Sequence, residues 1–187
     1  MKVLGIVSSP RNGGNGQTIV ENVLAGAKAA GAETELIRLA DVDIKPCQDC
    51  GYCKAPGHET CAQKDGMQDL YKKLAASDSV IFGMPVYFSR PNAPFLQFID
   101  RMYAMVNPDF SSRLPKDKKF AAVITLGGGG LETVTPIVDS LNNVFGGMLG
   151  WKNTGLLWQN MMHDKKAIAQ HPEKLAEAQG LGKKLAE

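Results

Sequence analysis

The chain has no cysteine outside residues 47 to 61; all four thiols fall in that one stretch, "CQDCGYCKAPGHETC". It has no excess of charge: the formal net charge is +2, too small to argue for nucleic acid or a membrane surface as partner. It has no long apolar run, the best being stretches such as "SVIFGMPVYF", far short of the ~20 residues that span a bilayer. The N-terminus "MKVLGIVSS" lacks the longer apolar core and small-residue cleavage site of a signal peptide. It reads instead as a first strand, and a cytoplasmic location is expected. Repeats, low-complexity tracts and linkers are absent too. That leaves residues 1–187 as one domain, long enough to bury ~70% of its unfolded surface. Disulfides seldom persist in the cytosol, and one local cluster would staple little of a domain this size. Metal or redox chemistry is the better reading of the cysteines.

What is present alternates. Apolar, β-rich runs at 2–8, 33–39, 79–86, 120–126 and 154–159 read as strands. Helical patterns fall between and after them, at 17–31, 67–77, 93–105, 133–148 and 171–187, the last with Pro172 at its start. Near-continuous apolar strands that alternate with helices indicate a parallel sheet covered on both faces. Five of them predict an α/β, flavodoxin-like doubly wound sheet of order 2-1-3-4-5. Ligand would sit where the loops after the first and third strands part.

Three loops are predicted to meet at that edge. In "SSPRNGGNGQT" (8–18) hydroxyls, glycines and Arg11 gather at a helix N-terminus, where unpaired N–H groups and the helix dipole favour an anion. The loop is neither GxGxxG nor a P-loop, since no "GK[ST]" follows, so ATP is not expected. A flexible polar loop with Thr18 near a helix cap is the plainer reading. "MPVYFSRPNAP" (84–94) is stiffened by three prolines and carries Tyr87 and Phe88. It is either a wall for a flat ring or a core-packed aromatic pair at a strand end. "LGGGGLET" (126–133) bares its backbone, either for close approach of a ligand or simply as a flexible turn. A phosphate nest, an aromatic wall and a bare backbone together suit FMN better than a dinucleotide or a sugar phosphate.

"SSPRNGGNGQT", "MPVYF" and "FIDR" resemble signature segments of the NADPH-dependent FMN reductase superfamily. The spacing C-x2-C-x2-C-x7-C at Cys47, Cys50, Cys53 and Cys61 narrows the resemblance to its iron–sulfur flavoproteins. That resemblance implies one FMN and one 4Fe–4S cluster per subunit, in a homodimer or homotetramer. It places Ser9, Arg11, Asn15, Gln17 and Thr18 at the FMN phosphate. Pro85, Val86, Tyr87 and Phe88 would line the isoalloxazine, as would Gly127, Gly128 and Gly129. Leu96 departs from a usual lysine, and Met84 from a usual small hydroxyl residue.

For the cysteines themselves three readings stand. Four thiolates on one continuous loop suit the corners of a 4Fe–4S cube. Zinc takes four cysteines as well, with His58 a possible substitute, but usually from two separated CxxC knuckles. The thiols could also bind nothing. The corresponding functions are threefold. The first passes electrons from a donor such as ferredoxin through the cluster and FMN to a small acceptor, for instance a quinone, dioxygen or a peroxide. The second is an NAD(P)H-dependent FMN or quinone reductase with an idle cysteine loop, and the third a non-enzymatic redox sensor. No catalytic side chain is expected, because flavin carries the chemistry. His163 and His171 read as surface or capping residues, and Met161 and Met162 as packing.

Overall fold

In the computed structural model, which describes residues 1–187, β1 (Lys2–Val7) leads into α1 (Asn15–Ala29), and β2 (Glu33–Arg38) follows. A long excursion then carries the cysteines before α2 (Met67–Ala76) and β3 (Ser79–Tyr87). The two-residue β4 (Arg90–Pro91) turns back on β3, and α3 (Ala93–Met102), β5 (Lys119–Thr125), α4 (Leu131–Leu141), β6 (Lys152–Gln159) and α5 (Pro172–Leu185) complete the chain. The parallel sheet has the order β2-β1-β3-β5-β6, with β4 antiparallel to the end of β3. Apart from that short hairpin this is the predicted order, the fourth and fifth predicted strands being β5 and β6.

The unbroken apolar runs are explained by burial on both faces. Leu4, Ile6, Val80, Phe82, Phe120 and Ile124 point into the core under α2, α3 and α4. Their neighbours Val3, Val7, Ile81, Ala121 and Val123 point the other way, into the core under α1 and α5. One predicted helix departs from expectation. The pattern over 133–148 is α-helical only to Leu141 and then widens into a π-helical turn, Asn142–Met148. Asn142, Asn143, Gly146 and Gly147 are weak helix formers, and the wider turn drops Phe145 fully into the core. There it stacks on Phe82 at 4.3 Å and on Trp151 at 5.3 Å.

Helices α1 and α5 touch backbone to backbone. A Cβ on Gly182 would lie 1.9 Å from the Val23 carbonyl oxygen, and one on Gly26 2.1 Å from that of Gln179. Alanine at 182 gains ~1 kcal/mol of helix propensity, but only by driving α5 off α1. We therefore expect Gly182→Ala to cost about 2–3 kcal/mol net, as overpacked sites do. Urea unfolding checks this, and a neutral or stabilised variant would show that the helices do not cross so closely.

Candidate functional site

A cleft of about 380 Å³ opens at the C-terminal ends of β1, β3 and β5, a volume in the range of small-ligand sites. Its walls come from four places. Ser9 and Arg11 belong to the β1–α1 turn and Asn15 and Gly16 to the start of α1, while Pro85 to Tyr87 end β3 and Phe88 follows it. Thr125, Leu126 and Gly127 end β5, while Met162 and His163 come from the segment after β6. At its floor α1 begins on Gly14, with no side-chain cap. The first intrahelical bond is Thr18 N–H to the Gly14 carbonyl, 2.9 Å, and the N–H groups of Asn15, Gly16 and Gln17 find no acceptor in the chain. Helix N-termini in this state attract anions. Below them the buried Ser8 hydroxyl donates to Asn92 Oδ1 at 2.6 Å and Asn92 Nδ2 donates to the Ser8 carbonyl at 2.7 Å, tying the first loop to the start of α3.

The expected residues divide. Ser9, Arg11, Asn15, Pro85, Val86, Tyr87, Phe88 and Gly127 reach the cleft; Gln17, Thr18, Gly128 and Gly129 do not line it. The Gln17 amide is committed to its own loop, accepting from Gly13 N–H at 2.8 Å and donating to Glu21 at 2.8 Å. Asn15 offers only its backbone. Its side chain donates to the Met162 and Asp164 carbonyls, at 3.3 and 2.6 Å, and accepts from Ile168 N–H at 3.1 Å. Arg11 Nη1 donates to the His163 carbonyl at 2.7 Å. The segment after β6 is thereby strapped onto the phosphate-loop side of the cleft. His163 is exposed and Met162 packs in the core, as read from sequence, and both also line the cleft. The available signal was topological: the loop after the last strand of a parallel sheet lies at the same edge as the loops before it. Gly127 lies against His163: a Cβ there would sit 2.5 Å from His163 Cε1, so the exposed imidazole would have to shift.

At the rim, Phe88 (φ 49) and Ser89 (φ 61) occupy the left-handed region at the tip of the β3–β4 hairpin. Asn-Gly suits such a turn; a phenylalanine there costs ~1–2 kcal/mol. Its ring is 98% exposed. Tyr87 is also exposed, so neither aromatic is the core-packed pair of the plainer reading.

The cysteine loop lies elsewhere. All four thiols are free and line one small cavity of about 20 Å³, walled on the other side by Asp100, Tyr103 and Ala104 at the end of α3. Cys47 and Cys50 are exposed, Cys53 and Cys61 half-buried. Burial pushes the Cys53 thiol up, with Lys54 and Arg113 opposing. Arg113 donates to the Cys53 carbonyl at 2.7 Å, and Lys54 lies 3.8 Å over the Tyr103 ring. No three cysteine, histidine or acidic side chains are grouped to hold a metal ion. The donor set is right in kind and number for an iron–sulfur cube, with Cys47 and Cys50 on its exposed side and Cys53 and Cys61 on its half-buried side. Cavity and cleft share no wall within the chain.

The family model described as NADPH-dependent FMN reductase matches residues 1–154. The chain belongs to the NADPH-dependent FMN reductase family. It is 28% identical over 170 residues to an iron–sulfur flavoprotein of Methanosarcina thermophila, covering 88% of this chain and 86% of that protein. With iron–sulfur flavoprotein MJ0731 of Methanocaldococcus jannaschii it is 30% identical over 186 residues, 94% and 90% of the two. Alignments with two further archaeal iron–sulfur flavoproteins span about half of each relative, 51% and 46%. Among solved structures, an NAD(P)H:quinone oxidoreductase from Methanothermobacter marburgensis superposes with a TM-score of 0.76 at 18% identity, over 100% of this chain and 98% of that one. This FMN reductase family member is an FMN-dependent oxidoreductase on a flavodoxin-like fold, within the iron–sulfur flavoprotein group. No helix of it is long and apolar enough to cross a membrane.

Proposed function

We propose that the cleft holds FMN with its phosphate over the start of α1, and that the chain passes electrons from NAD(P)H or a ferredoxin-like donor to a small acceptor of the quinone kind. The observation that carries this is the juxtaposition of the acceptor-less N–H groups at the start of α1, with Asn15 and Gly16 lining the cleft, and Arg11 with an aromatic rim. When bound, the flavin supplies the one- and two-electron chemistry. The protein's part is to neutralise the phosphate, through the N–H groups of Asn15, Gly16 and Gln17 and the free edge of Arg11, and to flank the ring with Pro85, Val86 and Gly127. Mass spectrometry of released flavin tests the assignment; FAD in place of FMN would refute it. Arg11→Ala should weaken FMN binding by about 1.5–3 kcal/mol, the range for hydrogen bonds to charged groups. Riboflavin, without the phosphate, should lose much less. Equal losses for both flavins would mean that Arg11 serves only to strap down His163.

A second element of the reading is a 4Fe–4S cluster on Cys47, Cys50, Cys53 and Cys61, supported by four free thiols walling one cavity. The resemblance to iron–sulfur flavoproteins implies a homo-oligomer in which one subunit's cluster meets the other's flavin, and a cavity and cleft that share no wall fit that arrangement. The solvent-exposed ring of Phe88, held outward in a strained turn at the cleft rim, favours a covering subunit there. Sedimentation of the FMN-loaded protein should show a dimer or tetramer; a purely monomeric species would exclude this arrangement.

A further inference from the structure

One face of α3 grips the neck of the cysteine loop. Gln97 and Arg101, one helical turn apart, reach the two residues that precede Pro46: Gln97 Nε2 donates to the Ile44 carbonyl at 2.5 Å and Arg101 Nη1 to the Lys45 carbonyl at 2.7 Å. Arg101 also forks Asp65 on the returning strand of the loop, with Nη1–Oδ2 at 2.5 Å and Nη2–Oδ1 at 3.0 Å. The same carboxylate accepts the Lys45 N–H at 2.9 Å and the Met67 N–H at 3.1 Å. Beside it, Gly66 N–H donates to the Asp43 carbonyl at 2.8 Å. Both charged side chains are 1% exposed. A buried pair of this kind is often no more stabilising than well-packed apolar residues of similar volume, so stability alone is weak reason for it. What it does hold is the point where chain entering and leaving the loop meet.

The loop beyond the neck is held unevenly. Cys61 has its carbonyl bonded by Gln68 Nε2 at 2.8 Å, and Cys53 has its carbonyl bonded by Arg113. Cys47 and Cys50 lie between the neck and Cys53, exposed and without side-chain bonds to their backbone. The buried Nε of Arg101 has no partner.

We infer that Asp65 and Arg101, assisted by Gln97, are positioning residues of the cysteine loop. They close its neck without any metal, so that Cys53 and Cys61 stand on a preformed loop and only Cys47 and Cys50 need close over an incoming cluster. The role in cluster assembly rests on the cluster reading above; the clamp itself does not.

The test uses metal-free protein first. In the double variant Asp65→Asn/Arg101→Met, which removes both charges together, amides of residues 46–64 should exchange at least about tenfold faster, as expected from the loss of the three hydrogen bonds that Arg101 donates. Amides of β3 and β5 should keep their wild-type rates. Alkylation of Cys53 and Cys61 should quicken by a similar factor, while the exposed Cys47 and Cys50 keep their rates. Arg101→Lys, which retains the charge but not the fork, should fall between wild type and double variant, and it serves as the test should the double variant fail to fold. After anaerobic reconstitution with iron and sulfide, the double variant should retain less iron than wild type. Unchanged loop exchange and unchanged alkylation in either variant would overturn the clamp. If wild type takes up no iron, the cluster reading falls alone, and the exchange rates still decide the clamp.

Discussion

Replacing Asp65 by alanine is expected to destabilise the protein by about 3–5 kcal/mol, the cost of removing one partner from a buried ion pair. The loss is large because Arg101 stays behind, 1% exposed and uncompensated, along with the Lys45 and Met67 N–H groups that the carboxylate had accepted. The double change Asp65→Asn/Arg101→Met should cost far less, since no buried charge is stranded. Urea unfolding of both at neutral pH makes the comparison, and a single variant no worse than the double would contradict it. Acid should weaken the same contact. Burial by itself would push the Asp65 carboxyl up, but the Arg101 guanidinium and the two N–H groups outweigh it and hold it below the usual carboxylate range. A folded-state pKa below the unfolded one makes the contribution complete above the ordinary value of ~3.9, and lost as pH falls through the folded value. Wild type should therefore lose stability below about pH 4 more steeply than the double variant.

Cys53→Ser is expected to abolish cluster binding while leaving FMN in place. Serine fits the half-buried site but supplies no thiolate, and a 4Fe–4S cube is held by four. The loop should stay folded, because Arg113 binds the backbone carbonyl at position 53 and the neck is closed by residues far from it. The flavin cleft should be untouched, since none of its walls belongs to the loop. Flavin reduction by a ferredoxin should collapse in the variant and reduction by dithionite survive. Iron and acid-labile sulfide after anaerobic reconstitution decide the matter. Equal, negligible iron in wild type and variant would leave a flavin reductase fed by NAD(P)H alone, with an idle cysteine loop.

Segment 160–168, which lies beyond the family match at residues 1–154, supplies His163 to the cleft and anchors on Arg11 and Asn15. The cleft is therefore partly walled by residues outside the matched portion.

By itself the sequence determined the sheet, its order and the edge at which the ligand loops meet. Continuous apolar runs such as Val80 to Met84 and Phe120 to Ile124 are a local consequence of burial on both faces, and any reader of periodicity recovers them. The spacing of the four cysteines is equally local. Only the tertiary structure decided the rest. It turned the Asn15 amide away from the cleft toward residues 162–168, made Gly127 answer to His163, and paired Asp65 with Arg101 beneath the cysteine loop. It also parted the cysteine cavity from the cleft, although both loops leave the sheet at its C-terminal edge. The physical reason is the reach of the signal. Periodicity records which side of its own element a residue buries, whereas a hydrogen bond between Asn15 and Asp164 depends on where β6 is set down in the sheet, and no window of neighbouring residues carries that.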